Sequence, residues 1–157
     1  MIRGAAVTTI ECSAHVVYET ITDVTRMGEW SPECTGGEWA APATGPAAGA
    51  EFLGHNVAKL GPLTVKKWTT TSKVTAAEPG VLFEFVSADY TTWRFELVAI
   101  GETTRVTESF QHAPYEGFQK LLYEKLVKRT DSMIEGINAT LASLKQAVET
   151  DPRCGAI

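Results

Sequence analysis

In the run TRVTESFQH, residues 104–112, a carboxylate stands where hydrocarbon belongs. The alternation of a half-buried strand puts Val106 and Phe110 on one face and Glu108 between them on that same face. Either the strand is bulged there, or the space it faces is no ordinary core. An inward carboxylate in a dense core costs several kcal/mol unless solvent or a partner reaches it. Desolvation would raise its pKa and make Glu108 a candidate proton donor or acceptor. An imidazole would be its natural partner. His112 is four residues on, and four strand steps of about 3.4 Å set the two α-carbons roughly 14 Å apart, too far for a direct hydrogen bond. His55 could share the face only if its own hairpin has the right register. The plainer reading of Glu108 is a carboxylate near an open edge, bonded to a Tyr or an Arg.

Other chemistries find no support in the residue patterns. There is no G-x-S-x-G, no H-E-x-x-H among the three His, and no glycine-rich loop opening a helix, since CTGG precedes a strand. Cys12, Cys34 and Cys154 are odd in number and show no C-x-x-C, which argues against a disulfide framework and a zinc site and fits a reducing cytoplasm. No cofactor and no metal are expected. The net charge of −5 with no basic run disfavours nucleic acid as a partner. MIRGAAVTTIEC lacks the apolar run of a signal peptide, and no segment approaches the roughly 18 apolar residues of a membrane span. The mature chain is therefore expected to start near residue 1 and to be cytoplasmic.

The elements that must position Glu108 follow from periodicity. The 157 residues, 44% hydrophobic and 21% charged, suit one globular domain over residues 1–150 with a short tail at 151–157. Residues 5–12 read as a strand, Ser13 as the cap of a helix AHVVYETIT, and Asp23 as the cap of a second short turn, VTRM, ended by Gly28. A Gly/Ala/Pro-rich loop then leads into a meander of about five antiparallel strands over residues 51–112. A two-residue turn at Gly101-Glu102 sets Leu97 opposite Val106, Phe95 opposite Glu108 and Trp93 opposite Phe110. Three- and four-residue loops at 87–89 and 77–80 set Phe83 beside Trp93 and Val74 beside Phe83. One face thus carries Trp68, Phe83, Phe85, Trp93, Phe95 and Phe110, interrupted by Thr70, Ser72 and Glu108. A two-residue Gly61-Pro62 turn would put His55 opposite Trp68. From Tyr115 to about Thr150 the period becomes 3.6, with Phe118, Leu122, Leu126, Met133, Ile137, Leu141, Leu144 and Val148 on one stripe.

An α+β helix-grip fold follows: a curved antiparallel sheet of about seven strands around a long C-terminal helix, with two short helices after the first strand. In SAHVVYETITDVTRMGEWSP, KWTTTSKVTAAEPGVLFEF, TTWRFELVAIGETTRVTESF and MIEGINATLASLK, the chain resembles the polyketide cyclase/dehydrase-type members of the START/pollen-allergen (SRPBCC) superfamily. The resemblance implies an internal cavity between sheet and helix that accepts a small hydrophobic or aromatic ligand, lipid- or polyketide-like. Trp30, Trp68, Phe83, Phe85, Trp93, Phe95, Phe110, Phe118 and Leu122 would line it, although core packing explains the same aromatics. Three readings stay open: binding of such a ligand; a cofactor-independent cyclase or dehydratase with Glu108 or His55 moving a proton; and a protein-interaction module with no ligand. Oligomeric state is not legible.

Overall fold

A computed structural model describes residues 1–32, 34–114, 116, 117 and 128–155, with side chains in the last stretch from Asp131 onward. Strand β1 (Ile2–Ile10) leads through a tight turn into helix α1 (Ala14–Thr22), a 3-10 helix (Val24–Glu29), and β2 (Cys34–Trp39). The meander is β3 (Glu51–Leu60), β4 (Leu63–Glu78), β5 (Leu82–Val86), β6 (Thr92–Ile100) and β7 (Thr103–His112), and the chain closes with helix α2 (Lys128–Glu149). The seven strands form one antiparallel sheet in the order β1-β7-β6-β5-β4-β3-β2. This is the helix-grip α+β architecture expected from the sequence.

Local chemistry explains the boundaries. Ser13 Oγ accepts from Val16 N at the start of α1, and Asp23 Oδ1 accepts from Thr25 N to open the 3-10 helix. That helix runs through Gly28 rather than stopping there. A Cβ at Gly28 would lie 2.5 Å from the Thr35 carbonyl oxygen, so this glycine serves close approach to β2 and not termination. The first strand is Ile2–Ile10 instead of 5–12, because β1 pairs with β7 from Ile2 opposite His112 to Ile10 opposite Thr104. Pro79-Gly80 forms the expected type II turn, with Gly80 at φ +73 and Val81 N donating to Glu78 O. Gly101 at φ +62 gives the tight β6–β7 hairpin.

One β-bulge and one longer loop reset registers that the expected loop lengths mispredict. The bulge between Val74 and Ala76, with a three-residue turn, sets Val74 opposite Phe85. The β5–β6 loop spans 87–91, so Phe83 faces Phe95 and Phe85 faces Trp93. Both shifts keep parity, and the aromatic face survives them. The β6–β7 register is as expected, including Phe95 opposite Glu108.

The core lies between the concave face, α1 and α2. Helix α2 buries Ile137, Leu141, Leu144 and Val148 and runs along β1. The part of the predicted helix before residue 128 falls outside the described residues. Gly136 is not needed for packing against the described residues, none of which lies within 4 Å of where its Cβ would be. Residues 151–155 fold back on the body: Arg153 donates to Glu19, and the Cys154 thiol donates to the Glu11 carbonyl.

Candidate functional site

Glu108 is held at the middle of β7, flanked along its strand by Val106 and Phe110 and across the sheet by Ala6 and Phe95. All four neighbours are buried and apolar. The residue is only 4% exposed, and among the described residues its Oε2 has no hydrogen-bond partner. Burial alone pushes its pKa up to about 8. The bulge considered from sequence is absent at this point, as pairing runs unbroken through Glu108 on both sides. Among the described residues neither a Tyr nor an Arg meets this oxygen.

A second orphaned polar atom comes from α1. Tyr18 is buried, its hydroxyl lacks a hydrogen-bond partner among the described residues, and burial raises its pKa. Helix α1 lies over β5, β6 and β7, the part of the sheet that carries Glu108. The sequence shows Tyr18 only as one position on the apolar side of α1, so its polar tip gave no separate signal.

His55 does not join Glu108. A bulge between Ala58 and Lys59 places Asn56, not His55, opposite Trp68 and sets His55 opposite Thr69. His55 therefore takes the face opposite to buried Phe52, its side chain 45% exposed. Its Nδ1 bonds the Thr69 hydroxyl at 3.1 Å, and its Nε2 is 3.5 Å from a Glu38 oxygen. His112 is buried, bonds the Ala113 carbonyl through Nδ1 and stacks on Phe110.

The aromatic candidates share the concave face and touch one another. Phe52 meets Trp39 and Phe85 edge to face at 5.6 and 5.1 Å, Phe83 adjoins Phe85, and Trp93 adjoins Phe110 at 5.8 Å. Trp30 and Phe95 are buried in the same core, whereas Trp68 is half-buried below the Lys66 ammonium. Phe118 and Leu122 lie outside the described residues. Phe52 and Trp39 complete the cluster; alternation in EFLG and GGEW was the signal that would have found them. Two surface depressions stand out, one of about 560 Å3 within the 40–51 loop and one of about 390 Å3 bounded by Thr35, His55, Asn56, Val57, Lys67, Trp68 and Thr69. Neither includes Glu108. Among the described residues no cluster of three or more His, Cys, Asp or Glu could hold a metal ion.

A concave aromatic sheet thus wraps around a C-terminal helix and carries a buried acid on its inner face. The family model described as polyketide cyclase / dehydrase and lipid transport matches residues 1–149. The chain belongs to this family. A polyketide-cyclase-like protein of Corynebacterium glutamicum is 30% identical over 94% of this chain and 91% of its own, with a TM-score of 0.68. A Thermus thermophilus protein, 20% identical over 93% and 96% of the two chains, superposes with a TM-score of 0.67. One from Chromobacterium violaceum, 12% identical over 95% and 99%, reaches 0.70. The last two likenesses are of fold. No curated protein matches the chain. Membership in the polyketide cyclase/dehydrase and lipid transport family supports ligand binding or cyclase-type chemistry in general terms, and no helix among the described residues is long and apolar enough to cross a membrane.

Proposed function

We propose that this protein binds a small hydrophobic or aromatic molecule between the concave face of the sheet and the C-terminal helix. The observation that carries this reading is Glu108: a carboxyl enclosed by hydrocarbon, with an oxygen that no group among the described residues meets. A binding site of this kind is mainly apolar with a few polar groups that orient the ligand. The orphaned Tyr18 hydroxyl supplies a second such group. Affinity would come from apolar area at roughly 25 cal/mol per Å2, and orientation from a hydrogen bond to the protonated carboxyl. Such a carboxyl can donate to a carbonyl or hydroxyl of the ligand.

A second reading is favoured by one specific feature. With its pKa near 8, Glu108 is mostly protonated at neutral pH yet can release its proton at modest cost. That is the property a general acid or base needs in a cofactor-independent cyclisation or dehydration. His55, on the outer face, has no part in it.

Native mass spectrometry of protein purified from its own host should reveal a retained small molecule, and titration with a hydrophobic fluorophore should saturate near one per chain. Replacing Glu108 with Gln keeps a hydrogen-bonding group but removes the titrating proton. Under the carrier reading E108Q binds the fluorophore within a few-fold of the parent; under the enzymatic reading it binds but no longer turns over substrate. Absence of saturable binding by the parent protein would end both.

A further inference from the structure

The β3–β4 hairpin extends beyond the sheet that supports it. Pairing of β3 with β2 ends at Asn56 opposite Cys34, and pairing of β4 with β5 begins only at Lys73 opposite Val86. Between these limits Val57 pairs with Lys67, Ala58 with Lys66, Lys59 with Thr64 and Leu60 with Leu63, and among the described residues these segments pair only with each other. The result is a two-stranded arm with a two-residue turn, Gly61-Pro62, at its tip.

The composition of the arm is unlike that of the rest of the chain. Leu60 and Leu63 flank the turn 74% and 64% exposed, and Val65 is 57% exposed. Isolated exposed apolar residues are ordinary, but here three lie within three residues of one turn, Leu60 paired with Leu63. Edge strands and hairpin ends normally carry polar residues to discourage association. Behind the tip stand Lys59, Lys66 and Lys67, with Lys73 further down, and no Asp or Glu occurs between Glu51 and Glu78. In a chain of net charge −5 this is a local reversal of sign.

We infer that this arm is a docking device for an anionic lipid bilayer, inserting Leu60, Leu63 and Val65 at the headgroup–acyl boundary while Lys59, Lys66 and Lys67 pair with lipid phosphates. Shape and charge together select this occupant. A convex apolar knob fits a deformable surface, whereas a folded protein partner would have to offer a matching hollow. Cations set just behind the knob meet the plane of phosphates when the knob is immersed. A second copy of the chain would bring the same lysines against each other. Docking goes beyond the ligand-binding reading and does not depend on it, since an empty protein can dock and a loaded one can ignore vesicles.

Co-sedimentation with phosphatidylcholine vesicles, with and without about one third phosphatidylglycerol, tests the inference at about 50 and 500 mM salt. The parent protein should bind the anionic vesicles, bind neutral ones at least tenfold more weakly, and lose most of its binding at the higher salt. L60S/L63S and K66Q/K67Q should each weaken binding about tenfold or more. These positions are exposed, and an unchanged circular dichroism spectrum and melting temperature confirm that both variants are folded. Failure of the parent to sediment with anionic vesicles overturns the proposal. So does unaltered binding by L60S/L63S, or a dimer or acidic-protein complex that the same serine substitutions dissolve while vesicle binding persists.

Discussion

Glu108 is the residue on which both proposed readings turn, and its energetics have a definite sign. In the unfolded chain a Glu titrates near 4.3; in the fold Glu108 titrates near 8. A carboxyl with a raised folded-state pKa imposes no penalty while both states are protonated. The penalty grows as pH rises from about 4.5 to about 8 and is constant above that, on the order of a few kcal/mol. E108Q should therefore melt higher than the parent at pH 8, with the gap closing as pH falls toward 4, as followed by calorimetry across that range. Equal melting temperatures at pH 8 would show that the carboxylate is solvated after all. The inward direction of Glu108 was legible in the sequence because alternation along β7 and the register of a two-residue turn gave the same answer independently. The fate of His55 was not, because a bulge at Ala58 and Lys59 leaves no mark in residue type, and a single extra residue turns every following side chain to the other face.

At the scale of elements, the fit of α2 on the sheet depends on an absence of side chain. A Cβ at Gly4 would lie 2.5 Å from Cε1 of Phe110 and 3.0 Å from Cγ1 of Ile134. No real packing holds such distances, so G4A should displace the Phe110 ring or lift α2 from β1. The expected loss is about 1–3 kcal/mol in urea denaturation, larger for G4V, with the far-ultraviolet circular dichroism retained. Unchanged stability would mean that the ring moves freely, and hence that the space beside it is open. The turn types at Pro79-Gly80 and Gly101-Glu102 were readable because glycine at a positive φ is chemically specific. The β5–β6 connection was less so: Asp89 Oδ1 accepts from Ser87 and Thr91, and Tyr90 takes φ +62, which stretches the loop to residues 87–91. Parity protected the prediction of the aromatic face even where partner residues were misassigned. The 3.6-residue stripe of Ile137, Leu141, Leu144 and Val148 was a strong signal because four positions agree.

For the molecule as a whole, charge and topology each have consequences. The C-terminal turn places Asp151 against Arg153, with Arg26 3.7 Å away, and these guanidinium groups hold its carboxyl well below the usual range. Arg26 likewise lowers Glu29, and the Glu11 backbone N–H, followed by Lys145, lowers Glu149. A depressed carboxylate contributes stability that is present above about pH 4 and lost as pH falls through its folded-state value. With Glu108 penalising high pH and these groups penalising low pH, the melting temperature should peak on the acid side of neutrality, between about 4 and 6. D151N should flatten the acid limb, and a parent profile that peaks above pH 7 would refute the assignment. Topology acts on a different property. The strand β1 closes the sheet against β7, and the register from Ile2–His112 to Ile10–Thr104 leaves it, among the described residues, with no strand partner until nearly the entire meander has been synthesised. A nascent chain emerging from the ribosome must hold that strand idle, and non-local closure of this sort makes folding slow and late. Closure of the sheet therefore awaits the synthesis of β7.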